Sequence, residues 1–263
     1  MPETAPRFTD RHIVVTGGGS GIGRAIALRL AREGAAVTLL ARELGRLEET
    51  ARVARAAGAS ALHVAACDIT DRARVTDCFA QAADALGPIW ALVANAGVGG
   101  PNAPGDGDRF DELIQTNLVG TYACMRATQR HLQRGPEARH MVVVASILAR
   151  IGVAAHTGYC ASKAGLLGLV RAMAAELAPR NVQVNAVCPG WVETEMARQG
   201  IAALARAENI AAHEALEQAL RAVPLGRMGR PDDVAGTVAW LLSDDARGVT
   251  GQGIDINGGA FMG

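Results

Sequence analysis

A chain of 263 residues, 49% of them apolar, has enough material to bury both faces of a sheet and fits a single α/β domain. Its 26 basic and 26 acidic side chains cancel, which argues against a nucleic-acid or anionic-membrane binder and leaves a small molecule as the expected partner. No apolar run approaches the roughly 20 residues needed to span a bilayer. MPETAPRFTD lacks the apolar core of an export signal. The scattered Cys67, Cys78, Cys124, Cys160 and Cys188 form no disulfide framework, so a reducing cytoplasm is expected.

From the amino terminus, short β-branched runs alternate with longer segments of helical period. HIVVTG predicts a strand at residues 12–17, followed by a helix over 21–33 that stops at REGA. Strands at 36–41 and 61–68 alternate with helices at 43–57 and 71–86. A strand at 90–97 precedes a continuous helix over 110–133, and a strand at 141–146 precedes a helix over 159–177. Further strands are expected at 182–190 and 253–259, with a helix at 231–242 between them. Several strands are apolar without alternation, as in parallel strands covered on both faces. The pattern predicts one doubly wound parallel α/β sheet spanning residues 1–263, with helices on both faces. Residues 191–230 break the rhythm with amphipathic sequence just past a strand's carboxyl end, where a substrate lid is expected.

Glycine spacing gives the first chemical signal. In TGGGSGIG, Gly17, Gly21 and Gly23 follow the first strand and open the first helix, with Gly19, Ser20 and Ile22 between them. Glycines there permit a tight turn and let backbone N–H groups approach a pyrophosphate. A dinucleotide site usually offers an acid at the end of the second strand for the ribose 2′-hydroxyl. That place reads LLAREL, so Arg42 stands where an aspartate is absent. A guanidinium suits a 2′-phosphate, so NADP(H) is favoured over NAD(H); Glu43 next door weakens the inference.

Four motifs now stand in order: TGGGSGIG, NAG at 95–97, YCASK at 159–163 and PGWVET at 189–194. On these the chain resembles the short-chain dehydrogenase/reductase superfamily over nearly its whole length, and is similar to bacterial 3-oxoacyl and polyketide ketoreductases. The resemblance implies a Rossmann-type sheet of order 3-2-1-4-5-6-7, a homotetramer, and a catalytic tetrad of Asn117, Ser146, Tyr159 and Lys163. It also implies that Asp68 and Ile69 lie at the adenine, and Asn95, Ala96 and Gly97 beside the ribose. Pro189, Gly190, Val192 and Thr194 would then lie near the carboxamide. Tyr159 would exchange a proton with the substrate oxygen, Ser146 would hold that oxygen, Lys163 would bond the nicotinamide ribose, and Asn117 would fix a relay water.

Why a lysine should stand four residues from a tyrosine has a physical answer. Residues i and i+4 share a helix face. A nearby cation, with the positive charge of an oxidised nicotinamide, favours tyrosinate. Moving a phenol from about 10 to about 7 takes roughly 4 kcal/mol of differential stabilisation. The histidines lack metal-ligand spacing, so no metal is expected.

Ile147, Leu148, Val153, Trp191 and Met196 are expected to face the substrate, and their apolar character suggests a hydrophobic or cyclic ketone or a 3-oxoacyl compound. Two rivals stand beside an NADPH-dependent carbonyl reductase. One is an NAD-dependent alcohol or 3-hydroxyacyl-thioester dehydrogenase. The other is a non-catalytic dinucleotide-sensing or scaffold protein.

Overall fold

The computed structural model describes residues 6–59 and 61–263. Strands β1 (His12–Thr16), β2 (Ala36–Ala41), β3 (Leu62–Ala66), β4 (Ala91–Ala94), β5 (Arg139–Val144), β6 (Val182–Pro189) and β7 (Gly253–Ile256) form one sheet. All pairings are parallel, in the order β3-β2-β1-β4-β5-β6-β7 that the resemblance implied. Every residue of β1, β4, β5 and β6 is buried, which explains their unbroken apolar runs.

The helices are α1 (Gly21–Arg32), α2 (Leu44–Ala56), α3 (Arg72–Leu86), α4 (Phe110–Ile114), α5 (Thr121–Arg130), α6 (Thr157–Leu177), α7 (Glu195–Glu208), α8 (Ala212–Leu220) and α9 (Pro231–Leu241). Alternation along the strands sorts them into two layers. Val14 and Leu40 pack with Phe79 of α3, Met125 of α5 and Leu166 and Val170 of α6. Ile13, Val15 and Leu39 point the other way, onto Ile26 and Leu30 of α1, Leu47 of α2 and Val238 of α9. Each such side chain removed from water contributes roughly 1.5–3 kcal/mol, so the two apolar layers hold the sheet.

Two expectations are corrected. The helix expected over 110–133 is interrupted by one wide π turn at Gln115–Gly120, and α5 ends at Arg130. A Cβ on Gly120 would lie 2.9 Å from the Ile69 carbonyl oxygen, and Asn117 is tied by both side-chain polar atoms to the Val98 backbone. The extra residue in the turn accommodates both close approaches. Beyond α5, Leu132 pairs with Ile89 beside the sheet instead of continuing a helix. The second correction is small: α6 begins at Thr157, two residues before Tyr159.

Residues 191–230 fold as two helices, α7 and α8, that share Ile201, Ala205 and Ala215 as a small apolar core. Thr194 starts α7 by accepting the Ala197 N–H at 3.2 Å. Because β1 has β2 on one side and β4 on the other, the chain leaves its carboxyl edge in opposite directions, opening a crevice there. The glycine turn, Ser146 and residues 189–194 all follow strands at that edge.

Candidate active site

The glycine turn is built for close approach. Gly17 and Gly21 have φ of 68° and 51°, the left-handed region. A Cβ on Gly23 would stand 2.2 Å from the Gly17 carbonyl oxygen. Asn95 braces the turn, its amide donating to the carbonyls of Thr16 at 3.1 Å and Gly17 at 3.3 Å. Thr16 Oγ1 in return accepts the Asn95 and Ala96 N–H groups, each at 3.0 Å. Ser20 makes no side-chain cap to α1, so the helix's leading N–H groups are available to an anion. The turn therefore fits the pyrophosphate of a dinucleotide.

A cleft of about 330 Å³ runs from this turn past Arg42, Asp68 and Ile69 to Ala96 and Gly97. Asp68 Oδ1 accepts the Thr70 N–H at 2.9 Å; that bond, assisted by the Arg42 charge, holds its carboxyl below the usual range. Glu43, the acid nearest Arg42 in sequence, also lines this cleft; its side chain is 67% exposed and pairs with Arg46 at 3.0 Å. Arg46 also reaches Glu195 at the start of α7, at 3.1 Å. The Val192 side chain and the partly buried Ile22 side chain pack into the apolar layer under α1 and α9. Asn95 spends its amide on the glycine turn, which makes it a brace for the cradle.

Tyr159 and Lys163 share α6, Ser146 follows β5 and Asn117 sits in the π turn, with Asn117 and Lys163 against Gly97. Ser146 ends the β5 run, where its Oγ accepts the Leu148 N–H at 3.1 Å. Lys163 is buried, donates to the Val144 carbonyl at 2.9 Å, and lies 5.7 Å from the centre of the Tyr159 ring. Asn117 donates to Ser162 Oγ at 3.1 Å, and Ser162 donates to the Tyr159 carbonyl at 2.9 Å. A Cβ on Gly97 would sit 2.9 Å from Asn117 Oδ1 and 3.6 Å from Lys163 Nζ, so this glycine makes room for both.

The electrostatics of the ligand-free chain bear on the resident amine alone. Burial pushes the Tyr159 phenol above its ordinary value, and hydrogen bonding from Ser146 offsets part of that rise. Burial also lowers the Lys163 amine to about 8. In the ligand-free chain, then, the amine does not bring the phenol towards neutrality.

Of the residues expected to face the substrate, Val153, Trp191 and Met196 are exposed and Leu148 is half-buried. Met196 reaches across to Gly99, where a Cβ would meet its sulfur at 2.8 Å, and Trp191 packs on Gly200. Ile147 is 8% exposed and presents little surface. Phe110 and Ile151 join the exposed apolar residues of these loops and helix starts; neither stands out in sequence, because each opens or follows an ordinary loop. His156 bonds the Ala154 carbonyl at 2.9 Å. Cys160 is half-buried near the Ile151 carbonyl.

A family model described as enoyl-(acyl carrier protein) reductase matches residues 17–260. The chain belongs to the short-chain dehydrogenase/reductase family. Within it, the chain is 34% identical over 261 residues to the 3-oxoacyl-(acyl-carrier-protein) reductase MabA of Mycobacterium tuberculosis, covering 98% of this chain and 96% of the relative. It is 38% identical over 266 residues to a putative ketoacyl reductase of monensin polyketide synthesis from Streptomyces virginiae, covering 95% and 97%. A solved actinorhodin polyketide ketoreductase variant with NADPH superposes with a TM-score of 0.89 at 32% identity, covering 96% and 98%. Membership makes the chain an oxidoreductase that acts on CH–OH and C=O groups with a nicotinamide cofactor.

Proposed function

We propose that the protein is an NADP(H)-dependent carbonyl reductase for hydrophobic or cyclic ketones or 3-oxoacyl compounds, with Tyr159 as proton donor. The observation that carries this reading is the convergence of the Ser146 hydroxyl and the Tyr159 phenol beside a glycine cradle suited to a dinucleotide. Two O–H groups meeting at one point suit a single carbonyl oxygen, which gains negative charge as it is reduced.

A bound nicotinamide supplies the hydride, or accepts it in the reverse direction. Tyr159 gives its proton to the substrate oxygen. Ser146 donates a hydrogen bond to the same oxygen and keeps it near the phenol. Lys163, with an amine poised near 8 and packed against Gly97, restores the proton to the phenol. Asn117, bonded to the Val98 backbone, fixes a water that links that amine to solvent. The segment 191–230, carrying Trp191 and Met196, closes over the substrate as a lid of the same domain.

Support for NADP(H) comes from Arg42 and Arg46, which line the cleft, the carboxylate of Glu43 there being paired with Arg46. Ala161, Gly168 and Ala172 leave a smooth exposed face on α6, which suits close packing against a second copy in the proposed homotetramer. The free cysteines fit a cytoplasmic setting. Among the described residues, no helix is long and apolar enough to cross a membrane.

The test follows NADPH oxidation against cyclic ketones, diketones, 3-oxoacyl thioesters and, for contrast, enoyl thioesters. Turnover of ketones or 3-oxoacyl substrates is expected; turnover confined to enoyl thioesters would contradict the carbonyl reading. In Arg42→Ala, affinity for NADPH is expected to fall about 10-fold or more while NADH affinity changes little, from loss of a charge-assisted contact. Equal effects on both nucleotides would contradict the NADP(H) assignment.

A further inference from the structure

The helix that carries Tyr159 has no cap of its own. His156 stands at its N-cap position and makes no side-chain bond to it. A helix start leaves N–H groups without intrahelical partners, and a buried N–H without a partner is costly. Gly158 has the more acute need, because it is buried against α4: a Cβ there would lie 3.0 Å from Phe110 Cα.

Asn102 supplies the missing cap from another loop. It is 6% exposed, and its Oδ1 accepts the Gly158 N–H at 2.9 Å. Its Nδ2 donates to Thr157 Oγ1 at 2.8 Å and to Asp108 Oδ1 at 3.0 Å. Its backbone N–H donates at 2.8 Å to the carbonyl of Ala155, a residue held at a left-handed φ of 58°. Asp108 in turn accepts the Phe110 N–H at 2.9 Å, starting α4. One buried amide thus joins the loop after β4, the start of α4 and the first turn of α6, one residue before the phenol.

We propose that Asn102 is a positioning residue for Tyr159: it caps α6 in trans and so fixes the phenol against Ser146. This rests on the reading of Tyr159 as the proton donor. A displacement of the order of 1 Å at a reacting group can cost about 100-fold in rate. The Ser146 bond lowers the phenol's pKa, so loosening it moves the phenol's titration upward.

The test compares Asn102→Ala, Asn102→Asp, the exchange Asn102→Asp with Asp108→Asn, and Tyr159→Phe, each assayed with NADPH and the best ketone of the panel. In Asn102→Ala, kcat is expected to fall about 10-fold or more through misplacement of the phenol. NADPH affinity by fluorescence titration should stay within about 2-fold, because the bonds of Asn102 go to Asp108, Ala155, Thr157 and Gly158 and not to the glycine turn. The apparent pKa governing alcohol oxidation should rise by about half a unit or more, which a loss of folded protein does not produce. Peptide hydrogen exchange over residues 155–163 should quicken. Asn102→Asp keeps an acceptor for Gly158 but sets a second carboxylate against Asp108, so kcat falls. The exchange reverses that hydrogen bond and is expected to return kcat to within about 3-fold of wild type.

Should Asn102→Ala fail to fold, the aspartate variant and the exchange decide the matter. Three results would overturn the inference: kcat within about 2-fold of wild type in Asn102→Ala or Asn102→Asp, a fall in kcat that tracks Tm with an unmoved pKa, or a folded exchange variant that regains nothing. Turnover surviving in Tyr159→Phe would overturn the proton-donor reading and this inference with it. Turnover lost in Tyr159→Phe but untouched by changes at Asn102 overturns the positioning role alone.

Discussion

Tyr159 and Lys163 share a helix face, yet each is shifted by burial away from its charged form: the phenol upward and the amine down to about 8. A charge brought by a ligand therefore matters more to this phenol than the resident amine does. The chain holds two tyrosines, so Tyr122→Phe leaves Tyr159 as the single phenol to titrate. Ultraviolet titration of that variant is expected to give a value above 10 without ligand, and a lower one with saturating NADP+. A free-chain value well below 10 would show that Lys163 suffices and that burial has been given too much weight. The pairing itself was legible at i and i+4. The sign of the shift was not, because it depends on desolvation by neighbours from β5 and β6 that spacing does not reveal.

At the scale of elements, the glycine turn stands or falls as a unit. Gly23 has no space for a methyl group: a Cβ would meet the Gly17 carbonyl oxygen at 2.2 Å and the Asn95 amide at 2.4 Å. Gly23→Ala is expected to push α1 from the turn and weaken NADPH binding about 10-fold or more, with a loss of stability of about 1–3 kcal/mol from overpacking. Isothermal titration and thermal melts check both numbers; unchanged affinity would mean that the turn does not cradle the cofactor. Strands and most helices were legible because β-branched runs and amphipathic period carry their burial in the residues themselves. The π turn at Gln115–Gly120 was not, since it arises from Gly120 meeting the Ile69 backbone and from Asn117 bonding Val98. The trans cap by Asn102 was equally hidden: a loop asparagine between Pro101 and Ala103 gives no sign of its partners at Thr157 and Gly158.

For the molecule as a whole, pH dependence is set at the edge of the sheet opposite the cleft. His12 bonds the Gly87 carbonyl and Thr38 Oγ1 at 2.7 and 2.9 Å, while His140 packs 4.8 Å from the Trp90 ring. Burial lowers both imidazoles, His140 to about 4, with Arg11 and Arg139 adding to its shift. A histidine lowered on folding binds its proton more readily when unfolded, so stability falls as pH drops from about 6.5 towards 4. Glu33, held below its usual range by Arg7 and Arg29 against the cost of burial, adds to the loss at lower pH. Urea midpoints measured between pH 7 and about 4.5 are expected to fall, with His140→Phe flattening the slope by about 1–3 kcal/mol across the window. An unchanged slope in that variant would show that His140 titrates normally. The sheet order and the carboxyl-edge crevice were legible from the strand–helix alternation and the family motifs. These buried histidines were not, because His12 and His140 sit in strand positions that read as edges until the neighbouring strands cover them.

The account as a whole depends on one proton passing from one phenol to one carbonyl oxygen. Single-turnover reduction of the best ketone by prebound NADPH, followed in a stopped-flow instrument for wild type and Tyr159→Phe, measures that passage directly. Hydride transfer in the variant is expected to slow by about 100-fold or more, the scale of a lost general acid, with NADPH affinity unchanged. Equal rates in the two proteins would contradict the account.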